Sequence, residues 1–130
     1  MTRHQRMLLR KARSSLRAAE LLAHEGLFDF AVSRAFDTMF YVGRALLPEK
    51  RLTDKQHWAV VSAFGQYLAN PALAQSEFHM YLLDGGIGCL FEDYDAHTGL
   101  PKDAAMEQLQ RAHQFLDIAA RLIGPLPSLA

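Results

Sequence analysis

The chain has 130 residues, half of them apolar, with fourteen basic and fourteen acidic side chains and a formal net charge of zero. That length can bury one core without disulfides or metal, and a single cysteine, Cys89, excludes a disulfide framework and a Cys-based metal centre. The longest unbroken apolar runs are only a few residues, which excludes a membrane-spanning helix.

The N-terminus, Met1-Thr2-Arg3-His4-Gln5-Arg6, is basic but leads into a polar helix rather than an apolar h-region. The expectation is therefore a soluble cytoplasmic protein without a secretory signal. The first helix is predicted over residues 3–25, with Leu9, Ala12, Leu16, Ala19 and Ala23 on one side and Gly26 as its stop. Its charge is one-sided in sequence: Arg3, Arg6, Arg10, Lys11, Arg13 and Arg17 all precede the first acid, Glu20. A later stretch reverses the sign, with Glu77, Asp84, Glu92, Asp93, Asp95, Asp103 and Glu107 against the single base Lys102. In a neutral chain the favoured explanation is that the basic helix is matched by acids of its own fold, with phosphate contact as the alternative.

The second helix is predicted over 28–47 and ends before Pro48. Phe28, Val32, Ala35, Met39, Val42 and Leu46 fall three and four apart and line one side. Ser33, Arg34, Asp37, Tyr41 and Arg44 form a narrow polar stripe on the other. A third helix is predicted from an N-cap at Thr53 to Leu68, with Trp58, Val61, Gly65 and Leu68 inward, and Asn70-Pro71 starts a fourth segment. Gly85, Gly86 and Gly88 either break that fourth helix or let two helices approach closely. The fifth helix is predicted over 101–123, with Pro101 in its first turn and a heptad-like seam of Leu109, Ala112, Leu116, Ala119 and Ile123. The pattern contains no strand-like alternation and no repeat. It predicts one all-α domain over 1–130, an antiparallel up-and-down bundle of four to five helices, and its many apolar stripes suggest a homodimer.

The run Ser33-Arg34-Ala35-Phe36-Asp37-Thr38-Met39-Phe40, followed by small residues and Ala45-Leu46-Leu47, resembles the second helix of the HEPN family. These are small helical domains associated with nucleotides and RNA, and in them that helix typically reads Ser-Arg-Ala-Tyr-Tyr-Ala-Met-Phe. The pointed departure is Asp37, where the family has its second tyrosine. Asp54-Lys55-Gln56-His57 resembles the family's Ser-Lys-Thr-His segment, Asp93-Tyr94-Asp95 its Asp-Tyr element, and Ala112 to Leu116 the Ala-x-x-Phe signature of its last helix. The resemblance thus covers nearly the whole chain, in order. It implies a nucleotide- or RNA-associated binding module that works with a nucleotidyltransferase partner.

Many members of the family are ribonucleases, often toxins, whose signature is an Arg separated from a His by four to six residues. In that chemistry the His deprotonates the ribose 2′-hydroxyl and the Arg stabilises charge on the phosphate. Arg17 with His24 and Arg51 with His57 fit the spacing, but neither lies in the family's usual place. Where some relatives read Arg-x-x-Ala-Asp-Tyr, this chain reads Cys89-Leu90-Phe91-Glu92-Asp93-Tyr94, which replaces the cation and adds a charge that repels RNA. A metal-independent ribonuclease toxin is accordingly the second reading, and a ligand-free helical adaptor the third.

The candidate ligand site comprises Arg34, Tyr41, His57 and Asp93, with Arg34 and Arg44 able to grip phosphates and Tyr41 to stack on a base. The plain alternative is a solvated helix face with a local Arg34–Asp37 pair. No cofactor is expected. No metal is expected either: His113 and Asp117 have a ligand-like spacing of four but no second pair of that kind, and convergence of three of His24, His57, His79, His97 and His113 is not readable from spacing. Cys89 has no basic neighbour to activate it, so an inert thiol is expected.

Overall fold

The structure, a computed structural model, describes residues 1–46 and 100–129. Among these the fold is all-helical: α1 spans Arg3–His24, α2 Phe28–Leu46 and α3 Lys102–Ile123. The third and fourth predicted helices, with His57, Asp93 and Cys89, lie outside the described residues.

Helix α1 starts where its side chains supply the missing backbone partners. Thr2 is the N-cap: its hydroxyl accepts from the Gln5 N–H at 3.0 Å, and the Gln5 Oε1 accepts from the Thr2 N–H at 2.8 Å. This reciprocal box satisfies two N–H groups that a helix start otherwise leaves open. Gly26 ends the helix as anticipated. It takes φ 79°, donating to the Ala23 carbonyl, while the Leu27 N–H reaches back to Leu22. Those two bonds form the paired closure that needs a left-handed residue, which glycine adopts without a Cβ penalty. At α3 the expectation shifts by one residue: Pro101 is the N-cap, in extended conformation, and not a first-turn residue. Its carbonyl accepts from the Ala105 N–H at 3.2 Å, so the ring serves to orient the chain ahead of the first turn.

Helices α1 and α2 form an antiparallel hairpin. Gln5 Nε2 donates to the Ala45 carbonyl at 3.0 Å and the Thr38 hydroxyl to the Ala12 carbonyl at 3.1 Å. The two ties are seven residues apart on each helix and run in opposite directions. A side-chain hydroxyl can touch the backbone of a neighbouring helix only where small residues line the seam. Ala12, Ala19, Ala31, Ala35 and Ala45 are all fully buried and provide that closeness. Helix α3 packs against both, burying Leu109, Ala112, Phe115, Leu116, Ile118 and Ala119 in one core with Leu9, Leu16, Met39 and Val42. It runs antiparallel to α1, since Glu20 pairs with His113 while the earlier Arg13 bonds Pro127. It is therefore parallel to α2, and the Asp29 Oδ1 accordingly accepts from the Leu100 N–H at 2.7 Å near the start of both helices. The expected inward sides of these three helices hold, except that Ala23, Phe28 and Ile123 at the helix ends are only partly covered. No described helix is long and apolar enough to cross a membrane.

Candidate functional site

The polar stripe of α2 exists as read. Its inward neighbours Val32, Ala35, Met39 and Val42 anchor the opposite face, so helical geometry alone points Arg34 outward. The Arg34 Nη2 lies 2.8 Å from the Asp37 Oδ2, with the two side chains 49% and 26% exposed. A pair so open to water adds only a few tenths of a kcal/mol. It uses one edge of the guanidinium and leaves the other donors facing solvent, where they could meet a phosphate.

Tyr41 lies two turns along the same stripe, about 10.5 Å away at 1.5 Å per residue. It is half-buried, and Lys11 Nζ of α1 sits 5.6 Å from its ring centroid. That face is already occupied by a cation, so base stacking there requires the lysine to move or to sandwich the ring from the other side. Arg44 is turned onto Phe40, its guanidinium carbon 5.9 Å from the ring, and so lies against its own helix. The structure thus places Arg34 and Tyr41 on one stripe; His57 and Asp93 lie outside the described residues.

The other candidates resolve as surface features. His113 and Asp117 are exposed, and His113 Nε2 stands 3.1 Å from the Glu20 Oε1. No group of three or more His, Cys, Asp or Glu side chains is gathered for a metal among the described residues. Arg17 and His24 are both exposed on α1, seven residues apart. That separation is about two helical turns, or 10.5 Å of rise along one side of the helix.

Two polar residues that matter to the architecture were not singled out from the sequence. Thr38 is completely buried, its hydroxyl shared between the Ala12 and Arg34 carbonyls at 3.1 and 3.2 Å. A lone threonine among apolar helix positions is the signal that could have found it. Gln5 carried a recognisable signal as well, the Thr2-x-x-Gln5 spacing of a capping box.

Helices throughout the described residues, with an arginine-bearing polar stripe on the second, are the features that define the class. Comparison with known proteins agrees: the HEPN domain family model matches residues 5–123. The chain belongs to the HEPN family. It is 36% identical over 125 residues to UPF0332 protein glr0978 of Gloeobacter violaceus, covering 95% of this chain and 99% of that protein. It is 34% identical over 110 residues to "Putative toxin MJ0142" of Methanocaldococcus jannaschii, covering 85% and 75%. A second protein of that organism, "Putative toxin MJ0605", is 38% identical over 63 residues, about half of each chain.

Proposed function

We propose that this protein is a nucleotide- or RNA-associated HEPN binding module, a single domain of four to five helices. In this reading it acts in the cytoplasm as a homodimer beside a nucleotidyltransferase partner. The observation that carries the reading is Arg34: it matches the family wording residue for residue and presents a half-exposed guanidinium on the solvent side of α2. The proposed site adds Tyr41, His57 and Asp93, which supply a stacking face, a neutral or protonated imidazole and a carboxylate.

The test is thermal unfolding with nucleoside mono-, di- and triphosphates. A bound nucleotide at a hundred times its Kd stabilises the fold by about 2.7 kcal/mol. Arg34→Ala should abolish that shift while leaving the ligand-free melting point nearly unchanged. An Arg34→Ala protein that keeps full affinity for nucleotide would overturn the assignment of the site. No shift with any nucleotide, together with no RNA affinity, would favour the ligand-free adaptor.

The toxin designation of the two Methanocaldococcus jannaschii relatives supports a second reading, a metal-independent ribonuclease toxin. Incubation with structured and single-stranded RNA in chelator, beside Arg34→Ala and His57→Ala controls, separates it from the first. Cleavage lost in either variant would establish it, with a centre away from the family's usual motif.

A further inference from the structure

We propose that one shoulder of α1 is a binding track for the phosphodiester backbone of a nucleic acid. This deepens the RNA-associated reading and rests on it. Arg3, Arg6, Arg10, Arg13 and Arg17 step alternately three and four residues along α1. At about 100° per residue they fall within a strip about 80° wide, and at 1.5 Å per residue the strip is about 21 Å long. Arg3, Arg6, Arg10 and Arg17 are exposed and Arg13 is half-buried.

The tertiary contacts fix which shoulder this is. Gln5 and Ala12 face α2, and Lys11, over Tyr41, marks the edge of α1 beside the α2 stripe. Arg13 and Arg17 instead border the α1–α3 groove, a cleft of about 430 Å³ that His113 and Asp117 line from the far side. The arginine track is thus separate from the Arg34 site. Two of its members are partly engaged: Arg6 donates to the Met1 carbonyl and Arg13 to the Pro127 carbonyl. Both bonds go to neutral oxygens, and among the described residues no ion pair involves any of the five. Among the described residues, the acids that share the groove with Arg13 and Arg17 are Glu20 and Asp117, at the C-terminal end of the track, and Glu20 is already paired with His113.

Such a row works against the helix that carries it. Each like-charged neighbour three or four residues away weakens the helix, and bases in the first turn oppose its dipole. The first turn of α1 indeed contains no acid. A bound polyanion removes both penalties. The choice of a nucleic acid over an acidic protein follows from the geometry. Guanidinium forks match phosphate oxygens bidentately, and their spacing of about 5 Å along the axis suits an evenly charged polymer. The neutral total charge is no obstacle, because fields are screened over about 10 Å and the track is felt locally.

The test is fluorescence anisotropy with a labelled single-stranded 20-mer RNA and its DNA counterpart, titrated from 50 to 200 mM salt. The proteins are the wild type, Arg6→Gln/Arg10→Gln/Arg17→Gln, the same triple to Lys, and Arg34→Ala. Five single-strand phosphate contacts predict a log–log salt slope of about −3.5, or an affinity loss of about 100-fold over that range. The Gln triple should flatten the slope to about −1.4, a loss of about 7-fold, and the Lys triple should keep most of it. Single Arg10→Gln, the milder change, should flatten it by about 0.7. Binding to RNA and DNA alike would assign the track to the backbone of either polymer, and binding to RNA alone would assign it to RNA. RNA binding abolished by Arg34→Ala but untouched in the Gln triple would overturn the track and leave the RNA-associated reading standing. No RNA binding by the wild type at 50 mM salt would sink that reading as well. Displacement of RNA by polyglutamate at matched charge concentration would reassign the track to an acidic protein.

Discussion

Gln5 holds two structures together with one amide, and replacing it separates their contributions. Its Oε1 closes the capping box on the Thr2 N–H at 2.8 Å, and its Nε2 donates to the Ala45 carbonyl at 3.0 Å. Ala45 is the penultimate residue of α2. Gln5→Ala therefore removes about half of the box, roughly 0.5 kcal/mol, and one partly buried interhelix bond, roughly 1 kcal/mol. The expected destabilisation is about 1.5 kcal/mol, a fall of about 5 °C in Tm for a chain of this size. Gln5→Glu discriminates between the two terms. It keeps an acceptor for the Thr2 N–H and places a favourable negative charge at the helix start, but it cannot donate to Ala45. Its Tm should lie between those of the wild type and Gln5→Ala. Circular dichroism melts and urea titrations at equal protein concentration measure both. A Gln5→Ala protein melting within 1 °C of the wild type would refute the interhelix tie, and a Gln5→Glu protein no better than Gln5→Ala would refute the box.

Other outcomes follow from the same geometry. Thr38→Val keeps the shape but deletes the hydroxyl shared by Ala12 and Arg34, and should cost about 1 kcal/mol in denaturant unfolding. Gly26→Ala meets no neighbouring atom, yet it forces a Cβ onto a backbone with φ 79°, so it should lose about 1 kcal/mol by strain alone. Gly26→Asn, which tolerates that conformation, should recover part of the loss. Arg34→Ala should leave the ligand-free stability within about 0.5 kcal/mol, because its ion pair with Asp37 is exposed. A larger loss in a thermal melt would make Arg34 a structural residue.

The three described helices were legible because their signals are local. Apolar residues three and four apart commit one face of a helix to the core wherever that core lies, so Leu9, Ala12, Met39, Val42 and Leu116 were placed without knowing their partners. Gly26 was legible for a similar reason: only the backbone of one residue has to turn. The family wording around Arg34 was equally local, and so was its pairing with Asp37 three residues on. Pro101 misled by one position, since proline suits both the first turn and the residue before it.

What only the tertiary structure decided is which element each exposed side chain meets. Periodicity gives an angle about a helix axis but not the register between two helices, and side-chain contacts depend on both. Nothing near Gln5 in sequence predicts the Ala45 carbonyl, forty residues on, and nothing near Lys11 predicts the ring of Tyr41. The partner of His113 is likewise set by how α3 crosses α1. The sequence by itself determined the three described helices, their buried faces and the family; the packing of those faces determined that a lysine sits over the ring of Tyr41, that Arg34 faces solvent and that Arg13 and Arg17 line the groove beside α3.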